Sequence, residues 1–393
     1  LVEGNFVTQS SSGNTLSAGV MEIKGNFTQK NGYQHNFNAS GNHKVVLSGS
    51  NLQTMDIEST YTSFGTLDAT KASEVIFKAG FIKAANLIGF DKINVPQGSN
   101  MTLQDTNLVM DQDKTIQNGL IINSGSVDLG GKKLTVKGKA TIAGTLKINS
   151  GVFDAASSLV FTSGKIDVGK GTLAIAGEML QSGGELNVNS GSVEIAGDYR
   201  LQTRNVNEEN KVTYGNSSGY VVMGSDIDSI KINGDLYVQN NNSSNKLTAG
   251  TIEIKGNFTQ KKGYDYNFTP SGTHKVIMNG GQKQTISFES PTYSRFNVLE
   301  LKQSTVAEPS SFTATTLYGI EKLEVPSTSS NMTMIYTKVT LTSDIVLNYG
   351  LTLSGGSFNL AGNSLTVKGK MITNADIDIN EGKLIVTGDL DVT

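Results

Sequence analysis

The stretch EIKGNFTQ occupies residues 22–29 and returns letter for letter at residues 253–260. A second stretch, LTVKGK, recurs with the same offset, because it stands at 134–139 and again at 365–370. Inside this long repeat runs a shorter pattern, apolar–x–apolar–x–Gly, as in the motifs that end at Gly177 and Gly197 or at Gly234 and Gly256. A short period of alternating apolar residues is typical of a solenoid built from stacked coils.

The short pattern predicts strands and corners. Alternation with a period of two places successive side chains on opposite faces of a strand, and the Gly that follows permits a bend. Polar clusters such as 123–125 (NSG) and 354–356 (SGG) lie between the alternating segments and have turn chemistry. We therefore expect an all-β fold, a right-handed parallel β-helix or solenoid with coils of about 19–22 residues. An antiparallel β-sandwich is the alternative, but it gives no reason for a coil-length register.

The repeats also predict how the chain is organised. We expect one continuous β-solenoid over residues 1–393, with a large copy at 1–160, linking coils at 161–233 and a second copy at 234–393. With ~4.8 Å between neighbouring strands, coils of this length would stack to on the order of 90 Å. The polar, aperiodic segment 202–211 is expected to leave one corner as a surface excursion. Because strand-and-glycine motifs stand at both ends, we interpret the chain as a piece of a longer exported array, with neighbouring modules.

Composition excludes several functions. The 32 basic and 35 acidic residues leave a formal charge of −3, and no basic stripe is present to neutralise phosphates, so we expect no nucleic-acid partner. A membrane-spanning helix needs about 20 consecutive apolar residues, and no apolar run approaches that length, so we expect no membrane insertion. The sequence has no Cys, which excludes disulfides, thiolate metal sites and cysteine catalysis.

Four kinds of sequence block carry a resemblance to a known family. They are GNFTQ at 25–29 and 256–260, SG-x-HKV at 40–45 and 271–276, QT-x-x-x-E at 53–58 and 284–289, and GDYRLQ at 197–202. These blocks resemble the repeat region of large exported, adhesin-like β-solenoid proteins on the surface of Gram-positive bacteria, clostridial and paenibacillus-like. The resemblance implies an extracellular location at the bacterial cell surface and a spacer or adhesive role. It transfers no catalytic residues.

Pairs of carboxylates are the first candidates for chemistry, because β-helix enzymes need acidic groups clustered on one face of several coils. The pairs are Asp111/Asp113, Asp226/Asp228 and Asp376/Asp378. In a strand, both members of such a pair point the same way. Each pair stands beside an apolar Ile or a polar corner, so we interpret them as a solvated outer face, with a weak calcium site as the alternative.

Histidines are the second candidates. His43 and His274 stand at equivalent positions of the two large copies. No acid or nucleophile is repeated beside them, and the sequence has no GxSxG elbow, so a structural role is favoured over catalysis. We expect no enzymatic activity, no catalytic residues, no metal site and no cofactor.

Aromatic loops offer the best candidates for binding. The segment GYQHNF at 32–37 contains Tyr33 and His35, and the matching segment GYDYNF at 263–268 contains Tyr264 and Tyr266. Both segments follow a GNFTQ strand, so they are expected to form equivalent loops on one side of the solenoid. The rings of these loops would bind a surface or extracellular polysaccharide, or else pack on the next coil. The last aromatic of each segment, Phe37 or Phe268, is expected to fill the core.

The sequence therefore favours a non-enzymatic exported surface segment, a rigid spacer or adhesin-like β-solenoid. The alternative is a carbohydrate-binding or polysaccharide-degrading β-helix with a site along one face. A binding solenoid would show exposed aromatic and amide side chains grouped on one face. An enzyme would add a groove with at least two converging carboxylates.

Overall fold

A computed structural model of the chain describes residues 1–9, 15–32, 37–78, 80–241, 243–290 and 293–393. The chain is all-β, with 51% of its residues in strands, and its parallel strands stack as a β-solenoid, which confirms the predicted fold class. The described residues contain no α-helix, only two short 3-10 segments, Phe90–Lys92 and Ile320–Lys322. The chain divides into two compact units, Leu1–Gly177 and Glu178–Thr393. The proposed copy boundaries at 160 and 234 stay predictions.

The first unit is built of short strands. In chain order they are β1 (Phe6–Thr8), β2 (Val20–Ile23), β3 (Phe27–Gln29), β4 (Lys44–Leu47), β5 (Leu52–Ile57), β6 (Phe64–Asp68), β7 (Glu74–Phe77), β8 (Phe81–Ile82), β9 (Ala84–Ile88), β10 (Ile93–Asn94), β11 (Met101–Leu103), β12 (Thr106–Val109), β13 (Lys114–Ile116), β14 (Leu120–Ile122), β15 (Gly125–Asp128), β16 (Lys133–Val136), β17 (Ala140–Ile142), β18 (Thr145–Lys147), β19 (Val152–Ala155), β20 (Leu159–Phe161), β21 (Lys165–Asp167) and β22 (Thr172–Ile175). Within this unit the strands follow one another in four sheet paths, β1-β3-β5-β7-β10, β8-β11-β14-β17-β20, β2-β4-β6-β9-β12-β15-β18-β21 and β13-β16-β19-β22.

The second unit repeats this organisation. Its strands are β23 (Met179–Gln181), β24 (Glu185–Asn187), β25 (Ser192–Ile195), β26 (Tyr199–Leu201), β27 (Thr203–Val206), β28 (Val212–Gly215), β29 (Tyr220–Val222), β30 (Ser229–Ile232), β31 (Leu236–Val238), β32 (Thr251–Ile254), β33 (Phe258–Gln260), β34 (Lys275–Met278), β35 (Gln284–Phe288), β36 (Phe296–Leu301), β37 (Thr305–Glu308), β38 (Ser311–Tyr318), β39 (Leu323–Glu324), β40 (Asn331–Thr340), β41 (Ile345–Leu347), β42 (Gly350–Asn359), β43 (Ser364–Val367), β44 (Met371–Thr373), β45 (Asp376–Asp378), β46 (Lys383–Val386) and β47 (Leu390–Val392). The main paths are β23-β26-β31-β33-β35-β37-β39, β25-β30-β32-β34-β36-β38-β40-β42-β44-β47 and β41-β43-β46.

Strand register gives the length of a coil. In the first unit Leu120 pairs with Ala140, and Ala140 pairs with Leu159. One regular coil therefore takes about 20 residues, a length typical of solenoid repeats. The coil that runs from Phe27 to its partner Met55 is longer, at 28 residues, whereas the preceding one, from Phe6 to Phe27, takes 21. The predicted coil length thus holds for the most regular coils and is exceeded where a loop is inserted.

The core of each unit is a set of columns of apolar side chains. In the first unit Leu134, Phe153 and Leu173 occupy matching positions on β16, β19 and β22, and all three are completely buried. Burying one side chain of this size contributes about 1.5–3 kcal/mol. Because each coil adds one member to every column, the inward alternate residues stabilise the stack coil by coil.

An Asn or Asp after the corner glycine joins successive coils in the second unit. The side-chain Oδ1 of Asp198 accepts the Asp235 N–H at 3.0 Å, Asp235 accepts the Asn257 N–H at 2.7 Å, and Asn257 accepts the Thr285 N–H at 2.8 Å. In the first unit, Asn5 and Asn26 make the equivalent bonds to the next coil. This ladder of Asp and Asn side chains explains why Asn or Asp follows the glycine in these motifs.

The glycine of the motif is required by close approach. A Cβ on Gly256 would lie 2.4 Å from the Gly234 carbonyl oxygen of the neighbouring coil, and one on Gly25 would lie 2.4 Å from the Gly4 carbonyl. Real Cβ contacts are not this short, so any side chain would push the coils apart at the corner. The motif glycine is therefore a packing requirement between coils.

The glutamine of the QT-x-x-x-E block is a second link between coils. Gln284 is buried, and its Nε2 donates to the Ile254 carbonyl at 3.1 Å and to the Gly256 carbonyl. Its Oε1 accepts the Gly280 N–H at 2.8 Å. Gln53 makes the matching three bonds in the first unit. One side chain thus provides partners for the Gly256 carbonyl and the Gly280 N–H, and it adds a second hydrogen bond to the Ile254 carbonyl, which also accepts the Asn279 N–H.

Replacing Gln284 with alanine is expected to destabilise the second unit by about 2 kcal/mol, because buried backbone groups lose their hydrogen-bond partners. The measurement is urea denaturation followed by far-ultraviolet circular dichroism. Gln282→Ala is the matched control, since Gln282 is exposed nearby on the same turn, and it should leave stability within about 0.5 kcal/mol of the parent. Equal stability of the two variants would show that Gln284 does not hold the turn.

The predicted surface excursion is an antiparallel hairpin of β27 and β28 in the second unit. Arg200, on the adjoining strand β26, lies under it. The guanidinium lies 4.7 Å from the ring centroid of Tyr214 and 3.8 Å from that of Tyr237, and it pairs with Glu178 and Asp198 at 2.8 Å each. Stacking of a guanidinium between two rings is favourable, so this cluster fastens the hairpin to the solenoid.

Candidate functional site

The structure describes only part of the predicted aromatic loops. Tyr33 and His35 lie outside the described residues. Tyr264 and Tyr266 are described, and 54% and 45% of their surfaces are exposed. They follow β33 directly, as expected from the GNFTQ motif. The expected core residue of each loop, Phe37 or Phe268, is buried, which confirms that prediction.

A buried amide fixes the shape of the second-unit loop. Asn267 is 1% exposed, and its Nδ2 donates to the Lys261 carbonyl at 3.0 Å. Its Oδ1 accepts hydrogen bonds from Gln260 Nε2 and Ser294 Oγ, both at 3.0 Å. Tyr266, the residue before it, has a φ of 61°, a conformation that is uncommon for a residue with a side chain. The anchored amide therefore holds Tyr266 outward while the next aromatic turns inward.

A third tyrosine completes the exposed group. Tyr293 is 46% exposed, and its ring centroid lies 5.5 Å from that of Tyr266 with an interplanar angle of 77°. This edge-to-face arrangement is a favourable one for aromatic rings. We call Tyr264, Tyr266 and Tyr293 the tyrosine patch. Tyr293 could not be selected from the aromatic segment itself, because it stands in a different coil, after β35.

Charged groups flank the tyrosine patch. Glu289 pairs with Lys261 at 2.6 Å and accepts the backbone N–H of Lys262 at 2.7 Å. Partial burial acts to raise the pKa of Glu289, but the hydrogen bonds from Lys261 and Lys262 outweigh it, and the pKa lies below its usual value. Glu289 is therefore ionised at neutral pH and is not a proton donor. Its bonds to Lys261 and Lys262 stabilise the loop.

Comparison of the chain with protein-family models, with curated proteins and with solved structures found no match.

The buried carboxylate Asp228 corrects the expectation of a solvated Asp226/Asp228 pair. Asp228 is 1% exposed and accepts backbone N–H bonds from Ser190 at 2.5 Å, Gly224 at 2.8 Å and Ser225 at 3.0 Å. Asp226 points elsewhere and accepts a hydrogen bond from the Thr273 hydroxyl. The two carboxylates are separated because residues 225–228 form a turn and not a strand. Asp228 thus joins corners of successive coils.

Both histidines of the SG-x-HKV blocks are core residues, in agreement with the predicted structural role. His43 is 4% exposed and His274 is completely buried. Neither ring nitrogen of His274 has a hydrogen-bond partner. Burial lowers the pKa of His274 to about 4, and it lowers the pKa of His43 as well. Both imidazoles are therefore neutral at pH 7 and shielded from any substrate.

Two other kinds of site are not found among the described residues. No group of three or more His, Cys, Asp and Glu side chains in that part of the chain is arranged to hold a metal ion. No helix among the same residues has the length and apolar character needed to cross a membrane.

Proposed function

We propose that this chain is a non-enzymatic segment of an exported bacterial surface protein, acting as a rigid spacer of the adhesin-like kind. The main support for the proposal is the structural role of the residues in the repeated blocks. The Asn of GNFTQ, the Gln of QT-x-x-x-E and the His of SG-x-HKV are all engaged in joining coils or filling the core. This use of the repeated residues within the stack supports a structural role.

The contacts between coils also explain why such a segment resists bending. Each coil is joined to the next by parallel ladders, by the side-chain ladder at the corner and by the buried glutamine. Bending would have to lengthen several of these bonds together, so stiffness follows from their number within every turn. The resemblance of the blocks to adhesin-like surface proteins supports the proposed location.

Small-angle X-ray scattering of residues 1–393 tests the spacer proposal. A stiff spacer should scatter as one elongated particle with a largest dimension on the order of 90 Å, given ~4.8 Å per coil. The pair-distance distribution should stay the same between low and high salt. A distribution that shows two particles moving independently would contradict a rigid spacer.

A second function, carbohydrate binding, is favoured by the tyrosine patch. Tyr264 and Tyr266, each about half exposed, stand on a loop whose backbone is anchored by Asn267, and the half-exposed Tyr293 of another coil meets the ring of Tyr266. Exposed rings on a fixed loop bind a ligand without first being ordered, which lowers the entropic cost of association. A surface or extracellular polysaccharide is the ligand that this arrangement suits, because sugar rings have apolar faces that stack on aromatic rings.

Pull-down with insoluble polysaccharides and a glycan array tests this second function. Replacing Tyr264 and Tyr266 with alanine is expected to reduce retention at least tenfold, with Tyr33→Ala added because Tyr33 is their sequence counterpart. Tyr318→Ala is the matched control, since Tyr318 is 48% exposed elsewhere in the second unit. Retention that is equal in the loop variant and the control would exclude the tyrosine patch as the binding site.

A further inference from the structure

A groove of about 670 Å³ opens on the first unit where one sheet ends and another begins. Strand β10 is the last in the path β1-β3-β5-β7-β10, and β13 is the first in the path β13-β16-β19-β22. No backbone ladder joins β10 to β13. The missing ladder leaves an open space between two successive coils, and its polar lining includes Glu74, Asn94, Gln97, Lys114, Gln117 and Asn118.

A chain of polar side chains crosses this break. Asn94 Nδ2 donates to Glu74 Oε1 at 3.0 Å, and Lys114 Nζ donates to Asn94 Oδ1 at 2.9 Å. Lys114 Nζ also donates to the Asp91 carbonyl at 2.9 Å. Because an ammonium group has three N–H donors, these two bonds leave one donor of Lys114 without a hydrogen-bond acceptor among the described residues, and the Phe90 ring centroid lies 5.8 Å from Nζ. Three successive coils thus contribute one polar group each to the floor of the groove.

The second unit has the same break but closes it with apolar side chains. Strand β39 ends one path and β41 begins another, just as β10 and β13 do. In the long repeat, Ile345 stands at the position of Lys114, and Tyr349 stands at that of Asn118. Both are buried, and the Tyr349 hydroxyl donates to the Leu323 carbonyl on β39 at 3.0 Å. Tyr349 therefore bridges the break in the second unit, from its own coil to β39.

Burying a charged lysine at this position costs desolvation free energy. Lys114 is 8% exposed, and burial lowers its pKa to about 8, although Asp91 and Glu74 act in the opposite direction. The equivalent residue of the second unit, Ile345, has no charge and therefore loses no charge solvation when it is buried. A buried cation beside an open groove, at a position where the other copy has an apolar residue, marks a candidate binding site.

We propose that the break between β10 and β13 is a binding groove for a neutral, hydroxyl-rich oligosaccharide. Charges in and beside the groove balance, since Glu74 and Asp91 oppose Lys92 and Lys114, so neither an anion nor a cation is favoured. The four amide side chains of the lining each offer both donors and acceptors, which matches hydroxyl groups that do the same. The lining residues come from successive coils, from Glu74 to Asn118, so an oligosaccharide can contact more than one coil. This proposal rests on neither the spacer proposal nor the tyrosine patch.

Calorimetric titration with defined sugars tests the groove. The probes are the hexaoses of β-1,4-linked glucose, xylose, mannose and N-acetylglucosamine, with oligogalacturonate as the charged comparison. At least one neutral hexaose is expected to bind residues 1–393. Lys114→Ile and Asn118→Tyr, which install the residues of the second unit, should each weaken that binding at least tenfold. Gln117→Ala, a change at an exposed position, should weaken it severalfold.

Controls separate this groove from the tyrosine patch. The titrations are repeated in the Tyr264/Tyr266 alanine background, where hexaose binding should remain and should still be weakened by the groove substitutions. Tyr318→Ala, at an exposed tyrosine outside both sites, should leave the affinity unchanged. Circular dichroism should show that each groove variant is folded. Failure of every neutral hexaose to bind at millimolar concentration would overturn the proposal, as would binding of oligogalacturonate alone. Binding that survives Lys114→Ile, Asn118→Tyr and Gln117→Ala would place the ligand elsewhere and overturn it equally.

Discussion

Replacing Phe258 with alanine is expected to lower the free energy of unfolding of the second unit by about 3–5 kcal/mol. The Phe258 side chain is completely buried. Its ring centroid lies 5.0 Å from that of Phe268, 5.3 Å from that of Phe288 and 4.9 Å from that of Phe296. Alanine would remove one ring from the centre of four, and the solenoid backbone on both sides prevents the cavity from collapsing.

Native-state hydrogen exchange with mass spectrometry measures this loss where it occurs. Protection should fall in β31, β33 and β35 of the second unit, while β14 and β17 of the first unit keep theirs, because each coil contacts only its neighbours. Phe258→Leu is the matched control and should cost less than about 1.5 kcal/mol, since it keeps most of the volume. A Phe258→Ala variant with the protection of the parent would mean that the aromatic cluster does not stabilise these coils.

Acid is expected to destabilise the second unit through His274. The pKa of the folded-state imidazole is lowered from 6.5 to about 4 because the ring is buried. Between these two pH values the unfolded chain binds a proton at this position and the folded chain does not. Stability is therefore full above pH 6.5 and falls as the pH drops, by roughly 3 kcal/mol at pH 4.

Urea denaturation of the parent and of His274→Leu at several pH values from 7 to 4.5 measures the effect. Leucine has no group to protonate, and both imidazole nitrogens are without partners, so the variant should be at least as stable at pH 7. The difference in stability between the two proteins should grow in favour of the variant as the pH falls. His43→Leu should act in the same direction, since burial lowers the pKa of His43 too. Parallel curves for parent and His274→Leu would contradict the assignment.

Much of the fold follows from sequence because solenoid packing is local and repeated. The alternation within LTVKGK predicts which residues face inward, and Leu134 and Val136 are indeed completely buried. The recurrence of Gly with Asn or Asp predicts the corners. Coil lengths are less predictable, because a loop at one corner changes the spacing without disturbing the ladder on either side.

The candidate sites were harder to predict, since they depend on contacts between residues far apart in sequence. Tyr264 and Tyr266 could be selected from one short segment, but Tyr293 meets them only through the stacking of coils. The alternation around Lys114 is what an outward-facing lysine would also show. The segment contains no signal that its strand, β13, lacks a ladder to β10. Asp228 is predicted at the surface because its turn has the alternation of a strand.

The side-chain ladder at the corners has a consequence for how such chains change over time. Its partners in the second unit are separated by 37, 22 and 28 residues in sequence, yet the hydrogen bond at each step is the same. The register between coils is thus fixed at one corner, whereas the number of residues between successive ladder partners can vary. Segments can be inserted or lost at the other corners, as the β27–β28 hairpin illustrates, without changing which residues pair in the ladder. A protein built in this way can acquire new loops while its architecture is inherited intact.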